Sequence, residues 1–311
     1  MVVAMVVDAL LGWPNSLFAR IGHPVTWLGA FIAAFDGRLN RSSDTPFQRC
    51  IAGSATALIV IIVAAAFGCL VQRVAPSGLI GTILLGILAW PLVAFRSLYD
   101  HVAGVRDPLR AGDVEAARTA VSMIVGRDPQ TLDEAGVARA AIESLAENAS
   151  DGIVAPVLWG ALFGLPGILA YKAINTLDSM IGHRTERHEA FGWAAARIDD
   201  VANFIPARLT GLLFVLFAGQ KRAQAMSCMR NDARHHRSVN AGWPEAAMAG
   251  ALGVRLCGPR SYEGKPANEP WLNGEARDPA AIDITCGLKV YVGAMFGLAA
   301  VLAVIAFIQD F

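Results

Sequence analysis

The chain has 311 residues, 55% hydrophobic and only 17% charged, a composition too apolar for a soluble domain of this size and characteristic of a membrane protein. Lys and Arg together number 26, as do Asp and Glu; with no basic excess, nucleic acid is not an expected partner. The five cysteines, Cys50, Cys69, Cys228, Cys257 and Cys286, contain no CxxC pair and indicate neither a disulfide framework nor a zinc site.

The opening MVVAMVVDALLGWP lacks a basic leader and carries Asp8 within its apolar run, which argues against a cleaved signal peptide. Residues 12–49 read as a polar region. Residues 50–71 then meet the requirement of about 20 apolar residues for a membrane span. Residues 79–95, entered through the turn APSG, read as a second span despite Pro91. Residues 96–151 read as helices lying against the bilayer: GDVEAARTAVSMIV carries Asp113 near its start, and TLDE, with Thr131 and Glu134, is a capping box opening LDEAGVARAAIESLAEN. Residues 153–171 are interrupted by Pro156, Gly160 and Gly164, and residues 205–219 are short, so both read as broken or re-entrant helices of the kind that border binding sites. The polar region 172–204 lies between them. Within the last polar region, 220–286, the Gly-, Pro- and Asn-rich stretch 253–285 reads as an irregular loop able to close over a substrate. Residues 288–308 are a further clean span. The expected fold is all-α, a polytopic membrane protein of about three to five membrane helices with a cytoplasmic helical layer, in a single domain over residues 1–311.

Two stretches concentrate polar groups beside apolar sequence, where charge is costly and function is the default reading. In ENASDGIVAP, Glu147 and Asp151 follow Glu143 at four-residue intervals and share one face if the helix continues. They stand at a helix C-terminus, where the dipole adds to their cost and a bound cation would offset it. The plain alternative is a solvated face with Arg139 pairing Glu143. The second stretch, YKAINTLDSMIGHRTERHEAFGWAAARIDDVANFIPARL, supplies Asn175, Asp178, Asp199, Asp200 and Asn203 as oxygen ligands, with Lys172, Arg184, Arg187, Arg197 and Arg208 as cations. Magnesium bridges carboxylates to phosphates and arginine grips phosphate with two parallel hydrogen bonds, so the mixture suits a magnesium-nucleotide; an interfacial salt-bridge network is the alternative. His23, before Pro24, is expected in an extended turn. His235 and His236 in MRNDARHHR read as solvated surface. The chain contains no P-loop, no GxGxxG, no HExxH and no GxSxG.

Seven ordered blocks, DALLGWP, GHPVTWLG, VGRDPQTLD, ESLAENASDGIVAP, YKAINTLDSMIGHR, FGWAAARIDDVANFIPARL and NAGWPEAAMAGALGVRL, span nearly the whole chain and resemble the CbiB/CobD family of cobalamin-biosynthesis membrane proteins, the adenosylcobinamide-phosphate synthases. The chain departs from that pattern at Val239, where the family usually reads SPN, and at Cys257, where glycine is common. The resemblance implies a ligase of the cytoplasmic membrane, with its active site facing the cytoplasm and the lipid bilayer around it. With ATP and Mg2+, such a ligase joins a carboxylate of the corrinoid adenosylcobyric acid to aminopropanol or its O-phosphate. On this reading Glu147, Asp151, Asp178, Asp199 and Asp200 are the pool of metal ligands. Arg127, Lys172, Asn175, Arg184, Arg197, Asn203 and Arg208 hold phosphate or substrate, and His23 or Glu143 is the base that deprotonates the amine. Two other classes compete: a magnesium-dependent intramembrane prenyltransferase, which would use the N-x-x-D runs at Asn148–Asp151 and Asn175–Asp178, and a corrinoid carrier without catalysis. The distribution of Lys and Arg predicts that 12–49, 96–151 and 220–286 face the cytoplasm, with 172–204 on the same side.

Overall fold

The structure is a computed structural model that describes residues 1–125, 130–262, 265–267 and 269–309. The chain forms two compact units, Met1–Ala94 with Ala155–Asn203, and Phe95–Val154 with Phe204–Phe311. The first contains α1 (Val2–Leu11), α2 (Asn15–Ile21), α3 (Pro24–Leu39), α4 (Pro46–Val74) and α5 (Gly78–Ala89). The second begins with α6 (Phe95–Arg110), α7 (Val114–Ser122) and α8 (Glu134–Ala149). The chain returns to the first unit for α9 (Ala155–Leu177) and α10 (Trp193–Ala202). It completes the second with α11 (Phe204–Phe217), α12 (Arg222–Asp232), α13 (Gly242–Leu252), four short strands and α14 (Ala281–Gln309).

In the first unit α4 is the organising helix. Thr45 and Gln48 close a reciprocal capping box at its start, with Pro46 at the first helical position. Leu165 to Leu177 of α9 packs along it in the opposite direction. The backbone breaks at Gly164 (φ 70), and the amide of Leu165 left without a helical partner donates to the Gln72 side chain at 2.8 Å. Further along, Ala173 and Leu177 bury against Ala57 and Val60. Gly53 admits the Phe191 carbonyl so closely that a Cβ there would lie 1.8 Å from its oxygen. The interruption expected in 153–171 is therefore real and lies at Gly164.

In the second unit Asp133 caps α8 by accepting the Gly136 N–H at 2.7 Å. That corrects the capping box expected from Thr131, since aspartate two residues on is an equally good cap. Past Ala149 the helix widens into a π-helix over Ser150–Val154, so Asp151 does not continue the α-helical face of Glu143 and Glu147. The loop expected at 253–285 is more ordered than its composition suggests. β1 (Leu256–Cys257) pairs antiparallel with β4 (Trp271–Leu272), and β2 (Arg260–Tyr262) with β3 (Lys265–Ala267). Such two- and three-residue strands are too short to show alternation in sequence.

Among the described residues five helices are long and apolar enough to cross a membrane, or six if Trp193–Ala202 and Phe204–Phe217 count as one span. The chain is an all-α polytopic membrane protein. Spans expected at 50–71 and 288–308 fall within Pro46–Val74 and Ala281–Ile308, and that at 79–95 falls within the run Gly78–Arg110. Ser16–Leu39 is a correction, because the sequence there read as polar. Arg20, Asp36, Arg38 and the break at Gly22–Pro24 mask the apolar run, whose Trp27 and Phe31 are exposed as lipid-facing side chains are.

Candidate functional site

The expected site residues divide between the units. His23, Lys172, Asn175, Asp178, Arg184, Arg197, Asp199, Asp200 and Asn203 belong to the first; Glu143, Glu147, Asp151 and Arg208 belong to the second. Arg127 lies outside the described residues.

In the first unit α9 gives way at Asp178 to a π-helix, Asp178–Gly182. Asp178 is half-buried, within electrostatic reach of Asp200, Arg197 and His183. Its carboxylate folds back over Gly182, where a Cβ would stand 2.0 Å from Oδ1. On α10, Arg197 pairs with Asp200 at 3.1 Å, one turn away. Asp199 turns elsewhere: Tyr171 donates its hydroxyl to Asn203 Oδ1 at 2.8 Å, and Asn203 Nδ2 donates to Asp199 Oδ2 at 3.0 Å. Tyr171 and Asn203 are buried, so this chain fixes α10 against α9. Asn175 is half-buried one turn before Asp178, and Arg184 is exposed just beyond the π-helix. None of the five expected metal ligands belongs to a group of three ligating side chains within 4.8 Å among the described residues. Two carboxylates joined by substrate phosphate are nonetheless enough for magnesium. Asp178 and Asp200 are the two expected ligands within electrostatic reach of each other, and carboxylate oxygens are the donors a hard cation takes.

A network absent from the sequence reading anchors this end of the unit. Arg187 donates to Asp36 Oδ2 at 2.8 Å, His188 Nε2 lies 3.4 Å from Asp36 Oδ1, and Asn40 Nδ2 donates to the Arg187 carbonyl at 3.0 Å. Arg49 reaches the same carbonyl and also donates to Asn40 at 2.8 Å. Residues 183–192 thus sit at the end of the unit where α3 finishes and α4 starts.

His23 is extended, as expected before proline (φ −115, ψ 141), and caps α3: its Nδ1 accepts the Val25 N–H at 3.2 Å. The Pro91 carbonyl hydrogen-bonds the same ring, and Lys172 is within electrostatic reach. Lys172 lines an apolar cavity of about 590 Å³ walled by Trp13, Trp27, Phe31 and Trp90.

In the second unit Glu143 is 7% exposed, and its Oε1 accepts the Cys257 N–H at 2.7 Å. Arg139 does not pair with it, contrary to the plain alternative. Arg139 instead meets Asp278, which Arg255 also grips through two hydrogen bonds of 2.8 and 2.7 Å. The two guanidinium groups lie 4.8 and 4.4 Å from the centre of the Trp271 ring. Arg255 holds the Asp278 carboxyl below the usual carboxylate range, with Arg139 assisting. Glu147 and Asn148 are exposed, and Asn148 Nδ2 donates back to the Ser144 carbonyl at 2.9 Å. Arg208 is held by protein: its guanidinium lies 3.5 Å from the Phe204 ring centre and 4.5 Å from that of Trp243. It also donates to the Phe204 carbonyl at 2.7 Å and to Asn240 Oδ1 at 3.1 Å. His236 corrects the surface reading of the His pair. His235 is exposed, but the His236 side chain is only 8% exposed and faces Glu245.

A family model described as "CobD/Cbib protein" matches residues 1–291. The chain is 59% identical to the "Cobalamin biosynthesis protein CobD" of Rhodobacter capsulatus, over 98% of this chain and 96% of that protein. It is 48% identical to the protein of the same description in Sinorhizobium fredii, over 98% and 95% of the two chains. Another in Brucella suis is 48% identical over 94% and 92%. No solved structure matches.

Proposed function

Because the chain belongs to the CobD/Cbib family, we propose that it serves cobalamin biosynthesis as an ATP-dependent ligase, joining a corrinoid carboxylate, that of adenosylcobyric acid, to aminopropanol or its O-phosphate. The observation that carries the chemical half of this reading is the Asp178 and Asp200 pair with Arg197 alongside. A carboxylate is a poor electrophile at neutral pH. Transfer of the terminal phosphoryl group of ATP onto one of its oxygens makes an acyl phosphate, and attack by the amine then forms the amide and releases phosphate. Asp178 and Asp200 would hold Mg2+ against the nucleotide phosphates. When bound, the ion supplies neutralisation of the charge on the group being transferred. Arg197 and Arg184 contribute fixed positive charge that needs little reorganisation as the transfer proceeds. Asn203 and Tyr171 keep α10, and with it Asp200, in place.

Orientation follows from the distribution of charge. Arg38, Arg41, Arg49, Arg184 and Arg187 gather at the end of the first unit where α3 and α4 meet, whereas the turn after α4 is flanked by Arg73. The positive-inside rule turns the arginine-rich end towards the cytoplasm of the cell membrane, where ATP is available. The test is mass spectrometry of the purified protein incubated with adenosylcobyric acid, ATP, Mg2+ and each amine in turn. A corrinoid gaining the mass of one amine less water supports the ligase. No gain with either amine removes it: turnover of an isoprenoid diphosphate would then identify a prenyltransferase, and binding without turnover a carrier.

A further inference from the structure

Three separate elements of the second unit converge on one small polar pocket. His236 follows the turn Ala233–His235, Glu245 lies on α13 and Cys257 on β1. One ligating atom from each lies within 4.8 Å of the other two. Cys257 Sγ is 3.2 Å from Glu245 Oε2, and His236 Nε2 is 3.7 Å from that same oxygen. Glu245 and Cys257 are buried. Cys257 has φ 58, a left-handed backbone that a residue with a Cβ adopts only when its surroundings enforce it. Glu143 accepts the Cys257 N–H at 2.7 Å and Cys257 pairs with Trp271 across the strands, two contacts that hold the residue whose thiol meets Glu245.

We propose that His236, Glu245 and Cys257 form a binding site for a borderline-soft divalent metal ion, zinc in the first instance. A tetrahedral zinc with bonds of about 2.0–2.3 Å sets its ligand atoms about 3.4–3.6 Å apart; the two separations from Glu245 Oε2, 3.2 and 3.7 Å, bracket that spacing, and the sulfur and the imidazole nitrogen lie within 4.8 Å of each other. The donor set of one sulfur, one imidazole nitrogen and one carboxylate oxygen selects zinc over magnesium, which demands oxygen ligands. The site is therefore chemically distinct from the Asp178 and Asp200 pair. Binding requires the thiolate, so the ion displaces the proton that Cys257 donates to Glu245, and that proton leaves to solvent. His236 must present the Nε2 lone pair with its proton on Nδ1. Nδ1 accepts the Ser238 N–H at 3.0 Å and lies 3.3 Å from the Ser238 carbonyl oxygen, so moving the ring proton from Nε2 to Nδ1 exchanges the first hydrogen bond for one donated to that carbonyl. An ion here ties the segment after α12, the start of α13 and β1 into one cross-linked piece.

The test uses the tag-free, detergent-purified full chain, stripped with a chelator, re-equilibrated with zinc and desalted. The expected result is one zinc retained per chain, a higher melting temperature than the stripped protein, and one sulfur scatterer at about 2.3 Å in the zinc X-ray absorption spectrum. Cys257→Ser loses the sulfur scatterer, while Cys228→Ser, at another buried thiol, keeps it. His236→Gln, whose folding is checked by circular dichroism, loses retention of the ion. A wild-type chain that retains no zinc overturns the proposal, as does a sulfur scatterer that persists in Cys257→Ser.

Discussion

Replacing Asp178 by Asn keeps the shape of the side chain and removes one carboxylate of the pair, Asp178 and Asp200, that lie within electrostatic reach of each other. For a bound magnesium the change substitutes a neutral amide oxygen for a carboxylate, a much poorer ligand for a hard cation. Loss of one preorganised group that stabilises a transferring phosphoryl raises the barrier by about 3 kcal/mol, which is roughly a hundredfold in rate at 1.4 kcal/mol per decade. Folding should not suffer. Asp200 retains Arg197 at 3.1 Å, and one of two neighbouring negative charges has gone, so the melting temperature in detergent should stay level or rise. The assay pairs initial rates over a magnesium titration with that melting curve. A purely structural role reverses the pattern: the melting temperature falls while the specific activity of the folded fraction stays at the wild-type level. A stable variant with an unchanged rate and unchanged magnesium dependence removes Asp178 from the site.

Gly53→Ala places a Cβ 1.8 Å from the Phe191 carbonyl oxygen; overpacking at about 1–3 kcal/mol should lower the melting temperature by several degrees, and an unchanged melt would refute the close approach. Arg208→Lys keeps the charge but loses the planar stack between Phe204 and Trp243, so stability should fall by about 1–2 kcal/mol with the KM for ATP unchanged. A raised KM with an unchanged melt would return Arg208 to the phosphate site. Asp278, held low chiefly by Arg255, binds its proton less tightly folded than unfolded. Its stabilisation is therefore fully present above the ordinary carboxylate value of about 3.9 and lost as pH falls further, through the folded value. The melting deficit of Asp278→Asn should be constant from pH 7 to about 5 and shrink on further acidification; a deficit that shrinks between pH 7 and 6 points to another titrating group.

The sequence disclosed the features that depend on local pattern. Long apolar runs gave the spans near α4 and α14, the interruption of 153–171 appeared in its Gly and Pro content, and His23 is extended because proline follows it. Features set by register or by long-range contact were hidden. The π-helix after Ala149 shifts Asp151 off the face that a regular helix would have given it, and no local signal distinguishes those five residues from an α-helical turn. Asp199 and Asp200 are neighbours and equivalent in sequence, yet α10 directs one to Asn203 and the other to Arg197. That Glu147 and Asp151 belong to one unit and Asp178 to the other is likewise a property of the chain path. His236, Glu245 and Cys257 are spread over 22 positions without metal-ligand spacing, and only the antiparallel return of β4 on β1 and the packing of α13 make them a group.

The most direct test follows oxygen from the substrate. Cobyric acid labelled with 18O in both oxygens of the reacting carboxylate, turned over once with ATP, Mg2+ and the amine, should deliver one labelled oxygen to inorganic phosphate and leave the other in the new amide carbonyl. Label in phosphate shows that the carboxylate attacked the terminal phosphoryl group, which is the step assigned to the Asp178 and Asp200 site. Amide formation without label in phosphate, or with the label in AMP, would contradict that assignment.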